Sequence, residues 1–241
     1  IESAHLIRLI VVDNSPEIGT EVEDYCASRD AQYVWMGRNS GLSAAYNRGV
    51  RELGDRVDWV CFLDQDTDNV EGYLQRALSR LDEARADVLL PTVIAGDGVM
   101  SPCRRTWYWY RPLRQRGVLP REMSWINSGM IARRELLWRI PFDERLFLDY
   151  VDHQFALSAL AAHATVQVLW EEELHQDYSR STDSIEQAIR RFRIFRQDIH
   201  HFYRQRPLGR LWGAVLVGWR ATSATMQYRT LAFVRIGGPF G

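Results

Sequence analysis

Asp64 and Asp66 stand one residue apart at the end of the apolar run Trp59-Val60-Cys61-Phe62-Leu63. Two carboxylates so spaced on a turning backbone can both reach a hard divalent cation, Mg2+ or Mn2+. Such a cation keeps several waters and takes further oxygens from substrate phosphates. The chemistry this predicts is the departure of a metal-bound diphosphate. An apolar run of that length can be buried on both faces of a sheet, and its end emerges at the carboxyl edge, where open α/β sheets bind ligands. Acid-x-acid triplets also form ordinary turns, so the reading rests on placement at the strand end.

A second acidic pair, Asp149 and Asp152, sits in Phe147-Leu148-Asp149-Tyr150-Val151-Asp152-His153, at an expected helix start. Either acid can cap the helix, but transfer to a hydroxyl also needs a carboxylate to take its proton, and the pair supplies candidates. Asp13, closing the run from Leu6 to Val12, suits an Asx-turn as well as a ligand contact. The stretch Gly37-Arg38-Asn39-Ser40-Gly41 opens a helix through small residues that permit close approach, either to a ligand or in packing. His175, after Glu171-Glu172-Glu173-Leu174, is a surface residue or a metal ligand.

The elements that must hold these residues alternate. Strands are expected over Leu6–Val12, Tyr33–Met36, 58–63 and Val88–Leu90, with helices near 19–29, 40–53 and 70–86 between them. Such alternation means parallel strands joined by crossover helices. A stretch rich in Trp, Tyr, Arg and Gly, to about Arg121, reads as loops and hairpins covering a site. A strand over Trp125–Ile131, helices near 133–138 and 151–162, and a strand over Thr165–Trp170 complete the body. From Ser184 to Tyr203, Ile185, Ala188, Phe192, Phe195, Ile199 and Phe202 recur at helical spacing among arginines. That helix either packs on the body or makes peripheral contact with a membrane.

A chain of 241 residues, 46% hydrophobic and 25% charged, suits one large α/β domain with or without an appendage, and disorder is not indicated. From Arg180 onward 11 arginines stand against 3 acids, leaving 19 against 28 before it. This asymmetry suggests that the tail meets an anionic surface while the body handles a metal. Nucleic acid is not an expected partner. The three cysteines, Cys26, Cys61 and Cys103, have neither disulfide-framework nor zinc spacing and fit a reducing cytosol. The opening at Ile1 lacks a secretory pattern. No apolar run approaches the roughly 20 residues that span a bilayer, Leu211 to Trp219 being too short. The expected location is cytoplasmic, either free or at the inner face of the plasma membrane.

Taken in order over roughly residues 6 to 178, these pieces resemble the family 2 glycosyltransferases of GT-A fold. The resemblance implies an α/β, Rossmann-like, mostly parallel sheet flanked by helices over 1–178, and a helical, Arg-rich extension over 179–241. It implies a nucleotide-sugar donor bound by Asp13, by Arg38, Asn39, Gly41 and Asn47 of the motif that also holds Ala45 and Gly49, and by Asp64. It implies a metal at Asp64 and Asp66 with His175 nearby, Asp152 as general base, and a sugar or acceptor pocket from Trp125, Asn127, Ser128, Gly129 and Asp149. Val151 replaces a usual glutamate before that base. The local sequence looks most like the rhamnosyltransferase branch, which uses dTDP-rhamnose to build surface polysaccharides on saccharide or lipid-linked acceptors. Family members begin with an apolar strand and a Pro-x-Tyr-Asn type turn, whereas this chain starts one element later. The expectation is a longer gene product or a fold lacking that strand. Two rival readings stand beside this one. A nucleotidyltransferase would need an early Lys-bearing phosphate loop, and the chain has no Lys. A degenerate, non-catalytic nucleotide-binding domain would fit the absent strand but not the retained acids.

Overall fold

The computed structural model describes residues 7–65, 67–68, 70–96, 98–106, 109–113, 119–176 and 184–237. Along the chain run β1 (Ile10–Asp13), α1 (Thr20–Ser28), β2 (Gln32–Trp35), α2 (Leu42–Leu53), β3 (Trp59–Cys61), β4 (Thr67–Asp68), α3 (Val70–Leu81) and β5 (Val88–Ala95). Then follow β6 (Gly98–Ser101), β7 (Cys103–Thr106), β8 (Trp109–Pro112), β9 (Met123–Ser124), β10 (Ile131–Arg133), α4 (Arg134–Arg139), α5 (Val151–Ala161) and β11 (Val166–Gln176). Helices α6 (Ile185–Tyr203), α7 (Gly209–Tyr228) and α8 (Ala232–Gly237) close the fold.

The main sheet has the order β3-β10-β5-β11-β4, with β6 added on β5. It is a mixed α/β arrangement with helices on its flanks. Strand β10 runs antiparallel to both β3 and β5, so those two share a direction, and β11 joins β5 in parallel. The same-direction strands are those the alternation predicts. Antiparallel β10 is its departure: chain that reads as one strand over 125–131 is irregular up to Met130 and pairs only from Ile131. Gly129 causes the break. It sits at φ 75°, and a Cβ there would lie 2.2 Å from Leu174 Cδ1.

Strands β1 and β2 form a separate parallel pair. Among the described residues β1 pairs only with β2 and β3 only with β10, and a cavity of about 660 Å³ lies between β1 and β3. Ile10 and Val12 line one side, Trp59, Val60 and Cys61 the other, with Leu74, Leu78 and Leu81 of α3 and Val50 and Leu53 of α2 closing it.

The tail does not stand apart. Helix α6 opens with a capping box in which Ser184 accepts from the Gln187 N–H and the Gln187 side chain accepts from the Ser184 N–H. Its Ala188, Phe192, Phe195, Ile199 and Phe202 lie in one buried cluster with Val60, Leu90, Phe142 and Phe155 of the body. Each Phe or Ile so buried contributes about 1.5–3 kcal/mol. The apolar stripe expected over 184–203 is therefore core, and the packing alternative holds for this helix.

Candidate active site

Phe62, just past β3, is bracketed by backbone: its N–H donates to the Met130 carbonyl at 2.9 Å and its carbonyl accepts from the Gly129 N–H at 2.8 Å. This fixes the chain as it leaves the sheet and aims Asp64 over the edge. Asp64 Oδ1 accepts from the Tyr46 hydroxyl at 2.8 Å, and Oδ2 accepts from Gln176 Nε2 at 3.3 Å. Asp66 lies outside the described residues.

Asp152 enters the same edge from the first turn of α5, following Tyr150 in a left-handed conformation at φ 64°. Its Oδ1 is sealed from solvent and has no hydrogen-bond partner. Burial, reinforced by the charge of Asp64 and only partly offset by the Asn127 backbone N–H, pushes its carboxyl up to about 7. Beside it both side-chain polar atoms of buried Asn127 are unpartnered, as is Oε1 of Gln176. Buried polar atoms are rarely left unsatisfied in a folded protein, and their concentration here marks a place built to meet something polar. Ser128 Oγ and Thr67 Oγ1 lie 2.8 Å apart and tie β4 to this loop.

His153, next in line, bonds Ser124 Oγ through Nδ1 at 2.7 Å and stacks on Tyr110 with ring centroids 4.0 Å apart. Burial, with the charges of Arg206 and Arg105, lowers its pKa to about 4, so it is neutral at ordinary pH.

The neighbouring edge is built from the loops after β1 and β2. Asp13 accepts from the Ser15 N–H at 2.8 Å, the Gly19 N–H at 3.3 Å and the Tyr33 hydroxyl at 2.5 Å. Burial works to raise its pKa, but those hydrogen bonds outweigh it and hold the carboxylate below its usual range. Asn14 accepts from the Ser40 N–H and donates to Asn39, whose Oδ1 also accepts from the Gly41 N–H. Gly41, at φ 88°, has no room for a Cβ, which would lie 2.9 Å from Phe147. The Leu42 N–H and Ser43 hydroxyl then donate to the Phe147 and Leu146 carbonyls. The loop entering α2 thus grips the segment that leads to Asp152.

A second grip comes from the tail. Asp198 of α6 is fully buried and accepts from three successive backbone N–H groups, those of Phe147, Leu148 and Asp149, at 2.8–2.9 Å. Arg220 of α7 reaches Asp149 at 3.5 Å and lies over the Phe195 ring.

Among the expected site residues, Asp64, Asp152, Asn127 and Ser128 converge on one edge, with Asp13, Asn39 and Gly41 on the adjoining loops. Others sit elsewhere. Asn47 is buried, its amide donating to the Phe142 carbonyl and Glu144 and its carbonyl accepting from the Phe142 N–H. Trp125 is wholly in the core, with its indole N–H on Met130. Arg38 is exposed. Asp149 faces Arg220. His175 occupies the exposed side of β11, whereas Gln176, one residue on and therefore on the other face, meets Asp64. Tyr46, Gln176, Asp198 and Arg220 went unforeseen. The strand expected over Thr165–Trp170 runs on to Gln176, and alternation along that extension, with Leu174 buried, is the signal that points to Gln176.

Oxygen is the ligand these groups offer, from the Asp64 carboxylate and the unpartnered Gln176 carbonyl, which fits a hard cation such as Mg2+ or Mn2+. The described residues hold no cluster of three acidic, His or Cys side chains able to bind a metal by themselves. The remaining oxygens would come from water and phosphate.

Residues 3–141 match the sequence profile of Glycosyl transferase family 2. The dTDP-rhamnosyl transferase RfbF of Shigella flexneri is 24% identical over 174 residues, covering 67% of this chain and 56% of that protein. Among solved structures, residues 1–349 of Staphylococcus aureus TarS superpose with a TM-score of 0.51 at 21% identity, over 80% of this chain and 56% of that one. GalNAc-T7, solved with UDP, GalNAc and Mn2+, gives a TM-score of 0.55 at 12% identity, over 81% of this chain and 44% of that one. The chain thus spans little more than half the length of RfbF and of the TarS fragment.

Proposed function

The chain belongs to glycosyl transferase family 2, and from that premise we propose that it transfers rhamnose, with inversion, from dTDP-rhamnose to a saccharide or lipid-linked acceptor in surface polysaccharide synthesis. The observation that carries the reading is the meeting of Asp152 and Asp64 at one sheet edge, one carboxyl held near neutral pH with a free oxygen and the other anchored at the rim. The name of the Shigella relative supports the choice of donor. The acceptor and the setting at the inner membrane face rest on the family resemblance.

In this mechanism Asp152 takes the proton from an acceptor hydroxyl. The acceptor oxygen forms a bond to the anomeric carbon from the face opposite the diphosphate. The bond from that carbon to the diphosphate oxygen breaks, the configuration inverts, and the nucleoside diphosphate leaves with the electron pair. Asp64 and Asp66, with the Gln176 carbonyl, would hold a divalent cation, which supplies charge neutralisation to the leaving diphosphate. Asp13 and the Asn14–Asn39 loop pair line the donor side, and Asn127 offers its unpartnered amide to the sugar or acceptor. Tyr46 and Gln176 orient Asp64.

The test is to incubate purified protein with a panel of nucleotide sugars and Mn2+ and to measure released nucleoside diphosphate. Release from dTDP-rhamnose alone is expected. Release from a different donor overturns the choice of sugar. Binding of donors without release from any of them, in the presence of simple glycoside acceptors, overturns the catalytic reading in favour of a non-catalytic binding domain.

A further inference from the structure

Helix α7 presents two unlike faces. Gly209, Gly213, Val217 and Ala221, four residues apart, are buried. Gly209 comes so close to the Tyr203 carbonyl that no side chain would fit. The opposite face carries Leu208, Leu211, Val215, Trp219 and Met226 at helical spacing, and these are not surface aliphatics dispersed singly. Leu211 is 64% exposed, Trp219 71% and Met226 75%, and between them Ala214, Gly218 and Thr222 are exposed without a charge. An uncharged apolar stripe along 20 residues of helix is larger than a protein in water normally leaves open.

The segment that carries the stripe is charged with one sign. From Arg204 to Gly237 there are six arginines, at 204, 206, 210, 220, 229 and 235, and not one Asp or Glu. Those at 204, 210, 229 and 235 are exposed. Among the described residues no helix is long and apolar enough to cross a membrane. An apolar face with Trp, on a segment whose charged residues are all Arg, is the composition of a helix that lies in the plane of an anionic lipid surface, its apolar side in the headgroup boundary and its cations among the phosphates. A second copy is the poorer occupant, because a two-fold contact through this face would bring the same arginine rims together without a compensating acid.

We propose that the outward face of α7 is a docking surface for an anionic lipid bilayer. The stripe read from the sequence over 184–203 is a different one and is spent in the core. The proposal deepens the transfer reading by naming the surface on which a lipid-linked acceptor would be met, and it depends on that reading for its purpose alone.

Flotation with vesicles of 70% phosphatidylcholine and 30% phosphatidylglycerol tests it, against pure phosphatidylcholine, in the absence of donor. The wild-type chain is expected to float at least tenfold more with the anionic vesicles and to lose that gain in high salt. The double variant Leu211→Glu, Trp219→Glu should lose at least tenfold of the bound fraction, with its melting temperature and donor consumption on a soluble acceptor unchanged. Both positions are exposed and away from the site, so the variant should fold. Equal flotation of wild type and double variant overturns the proposal. So does absence of flotation accompanied by a concentration-dependent dimer that the same substitutions dissolve. Donor consumption without flotation would sink this inference and leave the transferase reading standing, while flotation without consumption would do the reverse.

Discussion

Asp152 carries its charge where burial and Asp64 both oppose it. In metal-free protein its carboxyl carbon should titrate near pH 7 by 13C NMR, and Asp64→Asn should move that titration to lower pH. A value near 4 in the wild type would refute the geometry at the edge. Because the folded state favours the neutral form, the contribution of this group is fully present below the unfolded carboxyl value of about 4 and is lost as pH rises through about 7. Asp152→Asn should therefore raise stability at pH 8 by about 1–3 kcal/mol relative to its effect at pH 4, measured by urea unfolding. The same variant should lower turnover by about 10²–10⁴-fold with nucleotide binding retained. Loss of both together would make the residue structural. The sequence left Asp149 and Asp152 as joint candidates, and the resemblance chose Asp152. The contacts add why Asp149 does something else: Arg220 takes its carboxylate and Asp198 takes its N–H.

At the scale of elements, the loop 147–149 is clamped between α2 and α6. Asp198→Asn would place an amide donor against a backbone donor in a buried site, and should cost about 2–4 kcal/mol of stability by denaturant unfolding. At a temperature where the variant remains folded, kcat should fall more than nucleotide affinity does, since Asp198 holds the approach to Asp152 and not the donor loops. Unchanged kcat in folded variant would dissociate the clamp from catalysis. As one of three acids among the tail arginines, Asp198 gave no hint of this in the sequence, because its partners are backbone groups about fifty residues earlier. Glu172, in the middle of three successive glutamates, is another such case. It is buried on β11 and paired with Arg76 at 2.6 Å. Replacing Arg76 and Arg80 together with Met should destabilise by about 3 kcal/mol or more, seen as a lower urea midpoint, because the buried carboxylate would then lose both its cations, Arg80 lying 3.5 Å from its other oxygen.

At the scale of the molecule, the two facing strand edges and the apolar cavity between β1 and β3 have room for an extended segment. Lengthening the chain at its start by an apolar strand of six or seven residues should raise the melting temperature, at about 2–4 °C per kcal/mol gained, and should protect β1 and β3 amides from hydrogen exchange. No change in either would show that the edges do not accept a strand. What the sequence determined by itself was the alternation of elements, the acids at the strand ends and the helix of the tail, because periodicity, turn chemistry and capping are local properties of the chain. It also carried enough ordered motifs to imply the family. The tertiary structure alone decided the rest. It put antiparallel β10 between β3 and β5, sank the α6 stripe into the core, turned the α7 stripe to solvent, and brought Gln176 instead of His175 to Asp64. Each of these depends on which face of an element meets a neighbour distant in sequence, and apolar periodicity says that a face exists without saying what will cover it.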